Sequence, residues 1–186
     1  MLTLLARISE KIVKIEKWSL IILATAVTGL ILLNVVTRSM SYAIFWIDEL
    51  AIYAMIWLVM IGASTKVRAR KGISVTLLEG FVGKKIWSIC LLLVDVIVFC
   101  FAIGLIWLSW IWYDPYTLAI VGFDITKFSE QTFNFIYQEP TTTLTVPKFL
   151  IWLIMPITAL SMSFHALVNL GERLTGTPPP TFELDG

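Results

Sequence analysis

The chain has few of the residues that catalysis and metal binding require. Its 186 residues include one histidine, His165, and two cysteines, Cys90 and Cys100. It has no Cys/His cluster for zinc, no glycine-rich phosphate-binding loop and no HExxH-type motif. A haem held by two axial histidines of this chain would need a second histidine. We therefore expect no catalytic residue, no cofactor and no metal site, and we predict that the protein is not an enzyme.

The two cysteines also give no evidence of a disulfide. They lie ten residues apart in one apolar run, and that spacing is ~15 Å along a helix. Bonded cysteines have much closer Cα atoms. We interpret both thiols as small apolar side chains that face lipid or another helix.

Charge is scarce as well. Only 15% of the residues are charged and 58% are hydrophobic, whereas roughly 25% are charged in a typical soluble domain. The formal net charge of +1 gives no reason to expect a nucleic-acid partner. The composition is typical of an integral membrane protein.

Four apolar stretches approach the ~20 residues that a membrane-spanning helix needs. We predict an all-α integral membrane protein with four transmembrane helices, at about residues 18–37, 46–65, 86–113 and 149–170. The second stretch reaches the required length if residues 44–49 form an interfacial first turn. Together, residues 17–171 would form the membrane domain, with an outer connection at 114–148.

The basic residues are distributed unequally about these spans. Eleven belong to the N-terminal segment, the second connection and the C-terminal tail, and three belong to the first and third connections. Short loops rich in Lys and Arg stay on the cytoplasmic side. Both termini are therefore predicted to be cytoplasmic. Aromatic residues such as Tyr42, Trp46 and Trp152 would form an interfacial belt at the outer surface.

Three flanking segments have patterns of their own. Residues 1–16 carry apolar side chains at helical spacing opposite Lys11 and Lys14, which predicts an amphipathic interfacial helix that is retained. In the outer connection, Ile125, Phe128, Thr132, Phe135 and Ile136 could share one face of a short helix capped by Asp124 or Thr126. Residues 172–186 are predicted to be a disordered tail.

A few polar residues lie inside or beside the spans. Asp95 interrupts the third span, where it could slide toward the inner interface near Lys84 and Lys85, contact a neighbouring helix or couple to an ion. His165 could pack between helices or take part in proton transfer. At the outer end, Arg38 could pair with Asp48 or Glu49 and fix the first hairpin, or it could only reach the headgroups.

The order of these residues resembles a known family. The matching segments are Asn34-Val35-Val36-Thr37-Arg38, Trp46-Ile47-Asp48-Glu49, Trp57, Gly62-Ala63 and Arg70-Lys71-Gly72-Ile73-Ser74-Val75. They resemble the small, DctQ-like membrane subunit of tripartite ATP-independent periplasmic (TRAP) transporters, over about residues 17–171. The sequence departs from the family at Gly72, where a histidine is common, and in its longer outer loop at 120–147.

The resemblance implies a role in a three-part system of the bacterial inner (plasma) membrane. A periplasmic binding protein would capture an organic acid, and a large multi-span subunit would carry the substrate and sodium sites of a symporter. This chain would bind and scaffold the large subunit, with membrane lipid as a further partner. The candidate interface or structural residues are Asn34, Arg38, Trp46, Asp48, Glu49, Trp57, Arg70 and Asp95.

Two other functions remain open at this point. The chain could be a membrane anchor subunit of a respiratory or other enzyme complex, because passive anchoring needs no haem ligand. It could also be a small self-assembling multidrug exporter. Such exporters usually need an acid in the first span, and residues 18–37 contain none.

Overall fold

The computed structural model describes residues 2–70 and 83–177, without the side chains of Lys84 and Lys85. These residues form helices and no strand apart from one isolated bridge between Pro140 and Pro147. The helices are α1 (Leu2–Ser39), α2 (Phe45–Ala69), α3 (Lys84–Tyr113), α4 (Pro115–Ile120), α5 (Ile125–Thr132), α6 (Lys148–Trp152) and α7 (Ile154–Leu174). Four helical segments are long and apolar enough to cross a membrane, which confirms the predicted all-α, four-span class.

Helix α1 is one continuous helix of 38 residues. The predicted interfacial segment, 1–16, and the first predicted span, 18–37, are therefore not separated by a break. The N-terminal half of α1 buries Ser9, Val13 and Glu16, while Ile8 and Ile15 of the predicted apolar stripe are 41% and 67% exposed. The position of 1–16 in the membrane surface stays a prediction.

Helix α7 is the centre of the bundle. It packs against α1, α2 and α3, and its buried residues recur at helical spacing from Ile154 to Glu172. In contrast, the most apolar 18-residue window of α1 is 0% buried and that of the third span is 11% buried. These two helices consequently direct most of their apolar surface outward.

The fourth predicted span consists of two helices, α6 and α7, which meet at Leu153. Pro156 follows three residues later and has no N–H to donate to the carbonyl of Trp152, which accounts for an irregularity at this point. Helix α7 continues to Leu174, and Glu172 is only 3% exposed. The predicted start of a disordered tail at residue 172 was therefore wrong, and residues 178–186 lie outside the described part of the chain.

The outer connection contains the predicted short helix. The carboxylate of Asp124 accepts hydrogen bonds from the backbone N–H groups of Thr126 and Lys127, both at 3.1 Å, so Asp124 is the N-cap of α5. The N–H of Lys127 is the main cause that lowers the pKa of Asp124. Phe135 and Ile136 lie beyond the end of α5, so the predicted single helical face was wrong at these two positions.

An aromatic cluster joins this outer connection to the membrane helices. The ring of Tyr137 lies 5.2 Å, centroid to centroid, from both Phe128 and Phe149, in edge-to-face geometry. Its hydroxyl donates to the carbonyl of Tyr113 at 2.6 Å. Burial and, secondly, the charge of Asp114 raise the pKa of Tyr137. The outer connection is therefore packed onto the ends of α3 and α6.

Candidate functional site

Three of the predicted site residues form one cluster at the outer end of α1 and α2. Arg38 Nη2 lies 2.6 Å from Asp48 Oδ2, and Arg38 Nε donates to Asn34 Oδ1 at 3.1 Å. The amide of Asn34 also donates to Asp48 Oδ1. The side chains of Arg38 and Asp48 are 59% and 43% exposed, so the pair contributes little stability by itself. These contacts join the C-terminal end of α1 to the N-terminal end of α2.

Glu49, the neighbouring acid, has different partners. Its carboxylate accepts hydrogen bonds from the backbone N–H groups of Thr142, Thr143 and Leu144 at 2.8, 2.6 and 3.1 Å. The hydroxyl of Tyr53 donates to it as well, at 3.0 Å. Two adjacent acids of α2 thus bind different parts of the molecule, since Asp48 contacts α1 and Glu49 holds the outer connection.

The two predicted tryptophans differ in their contacts. Trp57 Nε1 donates to the carbonyl of Ile151 at 2.8 Å and so joins α2 to α6. Trp46 is 43% exposed and lines a shallow surface depression with Tyr42 and Thr143. The structure does not bring Trp46 into the charged cluster at Asp48.

A polar layer lies toward the opposite end of the bundle. Glu16 of α1 accepts hydrogen bonds from Ser161 at 2.6 Å and from Thr65 at 3.1 Å. His165 Nδ1 lies 2.7 Å from the hydroxyl oxygen of Ser9. His165 Nε2 is 3.5 Å from Glu16 Oε2, too long for a good hydrogen bond, and it has no hydrogen-bond partner among the described residues. This layer connects α1, α2 and α7.

A charged layer lies beside it, one turn nearer the end of α2. Arg68 binds Glu172 through two parallel contacts of 2.7 Å, and its Nη1 also donates to Asn169 Oδ1 at 2.7 Å. The amide nitrogen of Asn169 donates to the carbonyl of Val67 at 2.7 Å. The side chains of Arg68 and Glu172 are 0% and 4% exposed. This bidentate, buried pair is the kind of ion pair whose loss is costly.

The last two predicted site residues flank this layer. Arg70 Nη2 donates to the carbonyl of Asn169 and lies 3.3 Å from Glu172 Oε2. Asp95 of α3 is 7% exposed and forms a 2.6 Å ion pair with Arg173 of α7. Its contact is thus with a neighbouring helix, one of the three possibilities that the sequence left open. The predicted proximity to Lys84 and Lys85 involves side chains outside the described set, and Gly72 also lies outside the described residues.

The interior of the bundle is more polar than the hydropathy of the spans indicates. Residues 18–37 lack charge as expected, but Glu16 lies just before them and is 8% exposed. A signal was present on α7, where four polar residues recur three or four positions apart and share one face. These residues are Ser161, His165, Asn169 and Glu172.

The geometry favours structural roles for these groups. Ser9 is 0% exposed and bonds to His165 on the ring nitrogen opposite the one that faces Glu16, an arrangement without access for a substrate. Within residues 2–70 and 83–177, no group of three or more His, Cys, Asp or Glu residues could hold a metal ion. The polar layers can hold three helices in one register.

Comparison with known proteins places the four-helix chain in a family. A search of curated proteins finds no significant match. Residues 27–176, which include α2 to α7 and the last third of α1, match the family model described as "Tripartite ATP-independent periplasmic transporters, DctQ component". Because the match covers more than half of the chain, the protein belongs to the DctQ family, the small membrane subunits of TRAP transporters.

Proposed function

We propose that this chain is the scaffold subunit that binds the large membrane subunit of its TRAP transporter. The assembled system would carry out sodium-coupled uptake of an organic acid delivered by a periplasmic binding protein. The substrate and sodium sites would belong to the large subunit. Family membership supports a transporter component and gives no support to the alternative of a respiratory anchor.

One observation carries this proposal. The acids that point into the bundle within residues 2–70 and 83–177 are each held by groups of the same chain, in the Glu16–Ser161, Glu172–Arg68 and Asp95–Arg173 contacts. Carboxylates engaged in this way stabilise a fixed arrangement of helices. A carrier would instead need polar groups that a substrate or an ion can reach.

The outward surface supports a partner as well as lipid. Large apolar side chains are exposed along both α1 and α3. Examples are Ile22 and Leu32 on α1, which are 64% and 61% exposed, and Ile97 and Trp107 on α3, which are 63% and 64% exposed. A membrane helix can present such a face to lipid or to another subunit. We propose that part of this surface contacts the large subunit in the bacterial inner membrane, with both termini in the cytoplasm.

Reconstitution in liposomes tests which membrane subunit carries the transport activity. We expect liposomes that contain this chain alone to show no binding-protein-dependent uptake, and liposomes with both membrane subunits to show sodium-dependent uptake. The chain should also be recovered in a stable complex with the large subunit. Uptake by this chain alone would overturn the proposal.

The Arg38–Asp48 cluster is proposed to fix the α1–α2 hairpin for assembly. Arg38→Ala or Asp48→Ala should reduce recovery of the complex with the large subunit. The matched control is Lys127→Ala, which removes an exposed cation that pairs with Asp124 in the outer connection. Equal recovery of all three variants would contradict an assembly role for the cluster.

We further propose that the outer connection contacts the docked binding protein. Phe133 is 82% exposed and has a φ of +53°, a left-handed conformation that asparagine or glycine adopts at lower cost. A large apolar side chain there adds exposed apolar area to a strained backbone, which is consistent with selection for a contact outside the chain. Phe133→Asn should weaken binding-protein-dependent uptake while the chain stays folded. Unchanged uptake by this variant would remove the argument.

A further inference from the structure

A cavity of about 250 Å³ lies between α2, α3 and α7, near the end of α2. One part of its wall is apolar and comes from all three helices, with Val67, Leu91, Val94 and Ala166 among the lining residues. The other part is charged, with Lys66, Arg70, Asp95 and Arg173. The cavity therefore has the amphipathic lining that suits a molecule with an apolar tail and a charged head.

Among the described residues, positive charge exceeds negative charge around this cavity. Four bases and two acids of residues 2–70 and 83–177 lie in its wall or directly behind it: Lys66, Arg68, Arg70 and Arg173, with Asp95 and Glu172. Asp95 is paired with Arg173, and Glu172 is held mainly by Arg68. Four minus two leaves a formal excess of two positive charges. Such an excess at the edge of a membrane domain attracts an anion.

Two donors in the wall are available to that anion. Arg70 Nε is buried and has no hydrogen-bond partner in the described residues. Lys66 is exposed and makes no hydrogen bond or ion pair within residues 2–70 and 83–177. Both residues belong to the last turn of α2 or directly follow it. An anion placed between them would satisfy the buried N–H of Arg70 and reduce the excess of positive charge.

The position of this site in the bilayer points to the source of the anion. Helix α2 has 25 residues, which corresponds to ~37 Å, whereas the hydrocarbon core is ~30 Å thick and the headgroup regions add ~10–15 Å in total. The last turn of α2 therefore falls at headgroup level, and the apolar part of the cavity falls at the depth of acyl chains. A free phosphate would use only the basic part of this wall.

We propose that this cavity, the groove between α2, α3 and α7, binds one anionic phospholipid as a structural ligand. The phosphate lies between Lys66 and Arg70, and an acyl chain lies along Leu91 and Val94 of α3. Basic pockets between membrane helices bind anionic headgroups in this way. The bound lipid offsets one of the two excess positive charges and fills the space between α3 and the α2–α7 pair. This inference concerns the chain's own surface and holds whichever organic acid the transporter carries.

Native mass spectrometry of the full chain in detergent tests the proposal with phosphatidylglycerol as the probe and phosphatidylcholine as the zwitterionic reference. We expect one phosphatidylglycerol to bind in preference to phosphatidylcholine. Lys66→Gln should weaken that binding roughly fivefold, because a base near a membrane surface contributes about 1 kcal/mol to anionic-lipid binding. Lys14→Gln, which removes an exposed cation of α1 outside the groove, should leave the affinity unchanged. Equal affinity for the two lipids, or equal effects of the two variants, would overturn the proposal.

A second variant separates a lipid from a free anion and does not depend on any charged residue. Val94→Trp places a large side chain in the apolar part of the groove and leaves Lys66 and Arg70 in place. It should abolish phosphatidylglycerol binding, and inorganic phosphate should not bind to the unmodified chain at concentrations at which the lipid saturates it. Phosphate binding that survives Val94→Trp, or displacement of the lipid when the large subunit binds, would show that the groove is not a phospholipid site.

Discussion

Replacing Glu172 with glutamine would test the buried charged layer directly. This carboxylate accepts two 2.7 Å contacts from Arg68 and lies 3.3 Å from Arg70. The substitution keeps the shape and one acceptor oxygen but removes the negative charge. Because the Arg68 side chain is 0% exposed, its guanidinium cannot turn to water, and the folded chain would hold an uncompensated buried cation.

The expected cost follows from that geometry. Removing one partner of a buried ion pair costs about 3–5 kcal/mol. We expect Glu172→Gln to lie in this range, because Asn169 continues to accept from Arg68 but carries no charge. The matched control is Glu130→Gln, which neutralises an exposed acid of α5 and should change stability by no more than about 0.5 kcal/mol.

The measurement is SDS-induced unfolding of the purified chain in mixed micelles, followed by the fluorescence of its eight tryptophans. A double-mutant cycle with Arg68→Met and Glu172→Met isolates the pair. The double variant should be more stable than either single variant, since two apolar side chains leave neither the Arg68 nor the Glu172 charge buried without its partner. If Glu172→Gln matches the Glu130→Gln control, or if the two methionine substitutions are additive, the reasoning about this layer is refuted.

Three further predictions concern single contacts. Glu49→Gln should speed hydrogen exchange of the backbone amides at 142–144, with Glu139→Gln, an exposed acid of the same connection, as the control; unchanged exchange would count against the contact. Asp124→Ala should increase proteolysis within α5, whereas Asp124→Asn should preserve the N-cap. The folded-state pKa of Asp124 is lowered. The contribution of its carboxylate to the stability of the folded chain is therefore present above the unfolded-state pKa and is lost as the pH falls through the folded-state pKa. Gly171→Val should displace the Leu2 side chain with only a small change in the unfolding midpoint, because a Cβ there would lie 2.6 Å from the flexible end of that side chain; a large loss of stability would show that Leu2 cannot move away.

Hydropathy and charge were sufficient to predict the main features of the fold. An uncharged stretch such as 18–37 cannot expose its backbone polar groups to lipid, so it must form a helix. The short helix at α5 was also predictable, because Asp124 is a local cap that needs only the next three residues. The errors concerned the ends of the predicted segments, such as the start of the disordered tail at residue 172. Nothing in the local sequence shows that Glu172 is held in the bundle by a residue 104 positions away.

The candidate site was predicted only in part. Asn34, Arg38 and Asp48 were recognisable because they lie at the two sides of one short connection. From the sequence, Arg38 could pair with either Asp48 or Glu49. The sequence does not show that Glu49 instead binds the backbone of residues 142–144, more than 90 positions along the chain. Glu16 and Asn169 were overlooked for a related reason, since each appears as an ordinary polar residue at the edge of an apolar run.

The sequence by itself determined the class of protein, the four membrane helices and the family, because these depend on local hydropathy and on the order of a few residues. Only the tertiary structure decided which charges are paired. Pairing depends on which face of α1, α2 and α3 packs against α7. That orientation is set by the packing of all four helices together. The same orientation of α2 places Lys66 and Arg70 in the groove beside α3. No local pattern in the sequence predicts this placement.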